Sequence, residues 1–232
     1  MDYIALNIPH SSAAMAGVIP YDDSRQLATD LQRWTDWHTD VLFKPQPELS
    51  PRVIPYVFPY SRFYVDIERL ENDPLESIGE GIVYTNFYGT NSHGNGRQVT
   101  APERAKLMAL RRKFLSSILL NERTLLIDCH SFPSDLATDI DICIGYNDDN
   151  SRPSDKLLQS IADTFAQEGY RVALNKPYSN AITPRWPIDY LSVMIEVNKA
   201  VYMDERTLRL TSAAGTLTHT INKLYKNIIH GL

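Results

Sequence analysis

The sequence predicts an α/β fold: three layers, αβα, around a mixed, mostly parallel central sheet. Two patterns carry that expectation. Short apolar runs of strand type alternate with stretches whose apolar residues recur every three or four positions, as in a sheet covered by helices. Several connections between the strand-like runs are too short for a helical crossover, which calls for some antiparallel pairing. A length of 232 residues and 43% hydrophobic content suffice for a real core. Residues 1–232 are therefore read as a single domain, and wholesale disorder is set aside.

The elements follow in order. A first strand, Tyr3–Ile8, stops at Pro9, which has no N–H to offer a ladder. A helix is expected from Ser24 to Phe43, where Leu27, Leu31, Trp34, His38 (in part) and Leu42 keep the helical period. Three prolines make Lys44–Pro51 a loop. Arg52–Phe58 and Phe63–Ile67 read as short strands. From Glu68 to Val99 no period persists, and Gly79, Gly81, Gly89, Gly94 and Gly96 punctuate the stretch. An irregular segment of that length inside a domain is often functional. Thr100-Ala101-Pro102-Glu103 is a capping box with an early proline, and the helix it opens aligns Leu107, Leu110, Phe114 and Ile118. Thr124–Cys129 and Ile140–Ile144 read as strands. Pro153 and Ser154 open a helix with Leu157, Leu158, Ile161 and Phe165 inward, ending near Gly169. Arg171–Asn175 and Leu191–Val197 are further strands. Asp204 is the expected cap of a last helix whose inner stripe is Leu217, Ile221, Leu224 and Ile228.

Composition excludes several classes of function. A formal net charge of −5 argues against a nucleic-acid partner, which would need a basic face. No apolar run approaches the ~18 residues that span a bilayer, so no membrane partner is expected. Met1-Asp2-Tyr3-Ile4 lacks the basic start of a signal peptide. Two cysteines, Cys129 and Cys143, make no disulfide framework and point to a reducing, cytoplasmic setting. Nothing in the sequence sets an oligomeric state.

Five short constellations carry candidate chemistry. His10 lies just past the first strand, where α/β sheets line their ligand crevice; it reads as a ligand or as a loop histidine bonded to backbone. In Leu126-Ile127-Asp128-Cys129-His130-Ser131 an apolar strand runs straight into polar groups. Burying Asp128 and His130 there is costly unless they are paired or bound to metal. Glu196 interrupts the apolar run Met194–Val197. Burial would raise its pKa towards neutrality, as a general base requires, while a structural salt bridge is the other reading. Asp36 and Asp40 stand four apart and would share a helix face, which also suits a plain acidic surface. Arg62 and Arg69 flank a short strand, and an arginine fork suits a carboxylate or an oxyanion. Together these groups match a mononuclear zinc hydrolase with three protein ligands, an open position for water and a separate carboxylate base.

The chain also resembles the N-formylglutamate amidohydrolase family. The resemblance rests on Ile-Pro-His-Ser-Ser (8–12), Asp-Trp-His-Thr-Asp-Val-Leu-Phe (36–43), Ser-Arg-Phe-Tyr-Val-Asp-Ile-Glu-Arg (61–69), Leu-Ile-Asp-Cys-His-Ser (126–131), Asp-Ile-Asp-Ile-Cys-Ile-Gly (139–145) and Ile-Glu-Val-Asn-Lys-Ala-Val-Tyr-Met-Asp (195–204). These motifs stand in the family's order and span almost the whole chain. The family is similar in turn to zinc carboxypeptidases and aspartoacylase-like deacylases, so the resemblance implies a zinc exopeptidase-like fold and one Zn2+ ion. It implies His10, Asp36 and His130 as metal ligands, with Asp40 and Asp23 as substitutes for the third, and Glu196 as the catalytic carboxylate. Arg62, Arg69 and Arg185 are implied as substrate-binding groups. The implied reaction is hydrolysis of an N-formyl or N-acyl amino acid, or a similar small amide, by a zinc-activated water.

Three departures bear on the substrate. Glu68 stands where the family has an asparagine, and its charge weakens an anion pocket. Ser179-Asn180 replaces a Gly-Gly pair, and Pro184 displaces Arg185 from its place after Thr183. These departures keep a second reading open, a small-molecule binding protein that has lost turnover. A metal-free nucleophile, Cys129 or Ser131 beside His130, is disfavoured. Neighbours on a strand point to opposite faces, and Ser131 lacks a Gly-x-Ser-x-Gly elbow.

Overall fold

Side-chain alternation splits the main sheet into an apolar face and a face that carries polar groups. The computed structural model describes residues 1–16, 21–87, 96–180 and 190–231. Six strands form the sheet: β1 (Tyr3–Ile8), β2 (Val53–Val57), β3 (Thr124–Phe132), β4 (Ile142–Gly145), β5 (Val172–Leu174) and β6 (Leu191–Asn198). Their order is β2-β1-β3-β6-β4-β5. The β2–β1, β1–β3, β3–β6 and β4–β5 pairs are parallel, and β4 runs antiparallel to β6. The α/β class and the mixed, mostly parallel sheet are as the sequence predicts.

The chain forms two compact units. The first comprises residues 1–8, 36–57 and 118–232 and holds the whole sheet. It also holds α2 (Thr39–Leu42), α4 (Asp155–Ala166), α5 (Ala213–His230) and a small hairpin of β7 (Met203–Asp204) with β8 (Arg209–Leu210). One face of the sheet gives Ile4, Leu6 and Ile8 of β1, Leu125, Ile127 and Cys129 of β3, and Val193, Ile195 and Val197 of β6 to a single apolar cluster. Onto that cluster pack Leu42, then Leu158, Ile161 and Phe165, then Leu217, Ile221, Leu224 and Ile228. Each such side chain, fully buried, stabilises the fold by roughly 1.5–3 kcal/mol. The expected stripes of α4 and α5 are thus the ones that face the sheet.

The second unit comprises residues 9–35 and 58–117. It carries α1 (Ser24–Trp34), with Asp23 accepting from the Arg25 and Gln26 amides, and α3 (Ala101–Leu115), opened by the Thr100–Glu103 capping box. Leu107, Leu110 and Phe114 of α3 pack with Phe58, Val65, Ile67, Ile82 and Val83.

Three expected elements differ. The helix expected over Ser24–Phe43 breaks after Trp34. Thr35 is extended, and His38 adopts the left-handed region at φ 66° before α2 begins. The polar groups freed by the break find partners: the Tyr202 hydroxyl donates to the Trp37 carbonyl, and His38 bonds the Leu208 carbonyl. Phe63–Ile67 is not a strand. Its carbonyls are taken by side chains instead of a ladder: Phe63 by Tyr21, Tyr64 by Arg97, Ile67 by Arg111. Asp204 does not cap α5. Its carboxylate accepts from the Arg206 and Thr207 amides inside the β7–β8 turn, and α5 starts after Ser212. Among the described residues no helix is long and apolar enough to cross a membrane.

Candidate functional site

In the first unit the polar groups lie on the sheet face opposite the apolar cluster. β3 is buried along all nine of its residues, so its alternation is between two kinds of interior. Leu125, Ile127 and Cys129 face the apolar cluster, which leaves Leu126, Asp128 and His130 on the other face. Parallel register sets His130 beside Glu196 of β6, and antiparallel register sets Glu196 beside Cys143 of β4. His130, Glu196 and Cys143 therefore form one row across the sheet. A buried imidazole needs a partner, and His130 has one: its Nδ1 lies 2.9 Å from Oδ2 of the buried Asp36. One row earlier, the buried Asp128 accepts from Asn7 Nδ2 at 3.0 Å.

Glu196 is half-buried while its strand neighbours Ile195 and Val197 are fully buried. The Cys143 thiol donates to the Tyr178 carbonyl at 3.2 Å. Burial pushes its pKa up, and the charge of Glu196 adds to that rise. It is held as a neutral thiol, unsuited to nucleophilic attack. Cys129 belongs to the apolar cluster on the far side of β3 from His130, which removes the metal-free pairing of Cys129 with His130.

In the second unit Asp66 is the hub. Its carboxylate is fully buried. Oδ1 lies 3.0 Å from His10 Nε2 and accepts the Glu68 amide at 3.0 Å, while Oδ2 accepts Arg62 Nη2 at 3.0 Å. Arg69 Nε stands 3.9 Å from the same oxygen. Burial alone would raise the pKa of Asp66, but the charges of His10, Arg62 and Arg69 outweigh it and hold the carboxyl well below its ordinary range. His10, itself buried, turns its other nitrogen towards Glu68, with Nδ1 and Oε2 3.7 Å apart.

The backbone on either side of Glu68 is held by a side chain of α3: Arg111 donates from Nε to the Ile67 carbonyl at 3.2 Å and from Nη2 to the Arg69 carbonyl at 2.9 Å. Arg69 donates to the buried Tyr84 hydroxyl at 3.2 Å, and its Nη1 is 3.9 Å from Asp73.

The structure thus brings together Asp36, His130 and Glu196 in one unit, and His10, Arg62 and Arg69 in the other. Asp36 bonds His130; Asp40, one of its two expected substitutes, is exposed. The other, Asp23, caps α1. Arg185 and His93 lie outside the described residues. His38 belongs to the turn that carries Asp36. Sequence reasoning gave no role to Asp66 and saw Glu68 only as a liability for anion binding. A signal for Asp66 was present, a carboxylate four residues after one arginine and three before another.

Each histidine is held by a carboxylate through one ring nitrogen, Nε2 of His10 and Nδ1 of His130. An Asp–His pair of this kind orients an imidazole and raises its basicity towards a metal. The donor chemistry of imidazole and carboxylate suits zinc.

Residues 4–203 match the family model for N-formylglutamate amidohydrolase. Among solved structures the chain is similar to an N-formylglutamate amidohydrolase from Ralstonia eutropha JMP134, with 18% identity and a TM-score of 0.77 over 98% of this chain and 92% of that one. It is also similar to a gene product of Agrobacterium tumefaciens, with 15% identity and a TM-score of 0.55 over 97% and 91% of the two chains. At these identities the two likenesses establish a common fold. No curated protein matches the chain.

Proposed function

The chain belongs to the N-formylglutamate amidohydrolase family, and from that premise we propose that it hydrolyses a small N-formyl or N-acyl amino acid with a zinc-activated water. The observation that carries this reading is the pair of carboxylate-held histidines, Asp66–His10 and Asp36–His130. In this proposal the zinc ligands are the two imidazoles that the family resemblance implies, His10 and His130, with Glu68, whose Oε2 is 3.7 Å from His10 Nδ1, as the carboxylate. That donor set is one of the common catalytic ones and leaves a position for water. Asp36 then serves as the carboxylate that fixes His130, and Glu68 takes the ligand role that the resemblance implies for Asp36.

When bound, zinc supplies a Lewis acid that polarises a carbonyl and lowers the pKa of a water to about 7. The remaining work falls to the chain. Glu196, beside His130 in the sheet, accepts a proton from the attacking water on a carboxylate oxygen and returns it to the leaving nitrogen as the C–N bond breaks. Arg69 is the better-placed group for a substrate carboxylate. It bonds the neutral Tyr84 hydroxyl at 3.2 Å, and its two carboxylate neighbours are each 3.9 Å away. Arg62 is drawn to Asp66 at 3.0 Å and acts chiefly by keeping that carboxylate charged. Arg185 is retained as a third cation for the substrate.

The test combines metal content with turnover. Zinc-loaded and chelated protein are compared on a panel of N-formyl and N-acyl amino acids, with elemental analysis of wild type and His130→Ala. Zinc near one per chain in the wild type, lost in the variant along with turnover, is expected. Full activity after complete metal removal would overturn the mechanism.

A further inference from the structure

We infer that His38 is a positioning residue: from its left-handed turn it fixes Asp36 against His130 by bonding the Leu208 carbonyl. The inference rests on the reading of His130 as a metal donor, and it lies wholly within the first unit.

The argument starts from what Asp36 lacks. It stands on no strand and in no helix; α1 has ended at Trp34 and α2 has yet to begin at Thr39. Its carboxylate must nonetheless hold a position 2.9 Å from His130 Nδ1. A carboxylate on an irregular segment orients an imidazole only if that segment is pinned. Hydrogen bonds pin it. Thr39 Oγ1 donates to the Asp36 carbonyl at 2.9 Å, and the buried Tyr202 hydroxyl donates to the Trp37 carbonyl at 2.8 Å. Another is His38 Nε2 to the Leu208 carbonyl, 2.9 Å long and bridging 170 residues of sequence. A carbonyl only accepts, so His38 carries its proton on Nε2.

Backbone conformation supports the same reading. His38 has φ 66° and Leu208 has φ 56°, both in the left-handed region. For a residue other than glycine that region is disfavoured and persists only where surrounding structure imposes it. Of the four such residues among those described, these two are the two ends of one hydrogen bond. Leu208 closes the β7–β8 turn, whose other end is tied by Asp204 to the Arg206 and Thr207 amides, so the acceptor is itself held in place.

The experiment uses His38→Gly, which accepts the left-handed backbone but removes the bond, and His38→Gln, which can donate to the same carbonyl. The first readout needs no metal: the solvent-exchange rate of the His130 Nδ1 proton, followed by NMR in the metal-free protein. The second is zinc affinity measured by competition with a chelator. His38→Gly is expected to speed that exchange and weaken zinc binding by about tenfold each, and His38→Gln to recover most of both. Wild-type exchange and wild-type zinc affinity in a folded His38→Gly overturn the inference, as does a His38→Gln that is no better than His38→Gly. If wild type itself takes up no zinc, the metal reading fails on its own, and the proton exchange alone decides the role of His38.

Discussion

The two carboxylate–histidine pairs are held by different physics. Asp66, fully buried, holds His10 within a knot of charge, with the half-buried Arg62 at 3.0 Å and Arg69 at 3.9 Å on the same oxygen. Asp36 holds His130 through a hydrogen-bonded backbone: the histidine stands on a fully buried strand, and the aspartate sits on a turn tied by Thr39, Tyr202 and His38. The first pair is positioned by electrostatics in an irregular segment, the second by the regular geometry of a sheet. A pair held by charge should fail globally when one charge is removed, because the rest are left buried and uncompensated. A pair held by backbone should fail locally.

The sharpest way to break this comparison is Asp66→Ala. It removes the buried carboxylate that faces His10, Arg62 and Arg69 and is expected to cost about 3–5 kcal/mol of stability in urea unfolding. Asp36→Ala is expected to cost only about 1–3 kcal/mol, the loss of one buried hydrogen-bond partner. Equal losses would show that the two pairs are not held differently.

Glu196→Gln tests the sheet-borne half for chemistry. Turnover should fall by about 10²- to 10⁴-fold while zinc content stays at the wild-type level. A variant that keeps full turnover removes Glu196 as the proton carrier.

Asp36→Asn keeps the shape of the side chain and alters only its hydrogen bonding. Zinc affinity should drop by about 10- to 100-fold, with the unfolding midpoint almost unmoved.

Acid provides a milder probe of the charge-held half. The folded pKa of Asp66 lies well below its ordinary value of 3.8, so near that value the unfolded chain binds more protons than the folded one. The stabilisation is complete above pH 3.8 and is lost as pH falls through the depressed folded value. The stability curve of Asp66→Asn should be flatter than wild type on that acid limb, and an equal slope would show that Asp66 is not strongly perturbed.

The smallest effect is expected at Cys129, on the apolar face of β3. Cys129→Ala should leave turnover unchanged and cost about 1 kcal/mol of stability. Loss of turnover with zinc retained would instead revive a thiol mechanism.

What could be read in advance follows the same division. β1, β3 and β6 were legible because an apolar strand in an α/β core is a local pattern, and a histidine or glutamate inside one stands out. The stripes of α4 and α5 were legible for the same reason: the period of a helix is written in its own residues. Glu196 and His130 could thus be named, and their adjacency waited only on strand order and register. Asp66 and Glu68 were a different case. Phe63–Ile67 has strand-like composition, yet Tyr21, Arg97 and Arg111, from outside that segment, take its carbonyls and hold it as a turn. The break at Thr35–His38 was likewise invisible, since the apolar period runs through it and the bonds that stabilise it come from Tyr202 and Leu208.

The sequence by itself determined the α/β class and the placement of His10 just past β1, His130 on β3 and Glu196 on β6, because each depends on neighbours within a few residues. Only the tertiary structure decided which carboxylate serves which histidine. Asp36 and His130 are 94 positions apart, and His10 and Asp66 are 56. Contacts over such separations are set by how the chain packs, and no local pattern of residues encodes them.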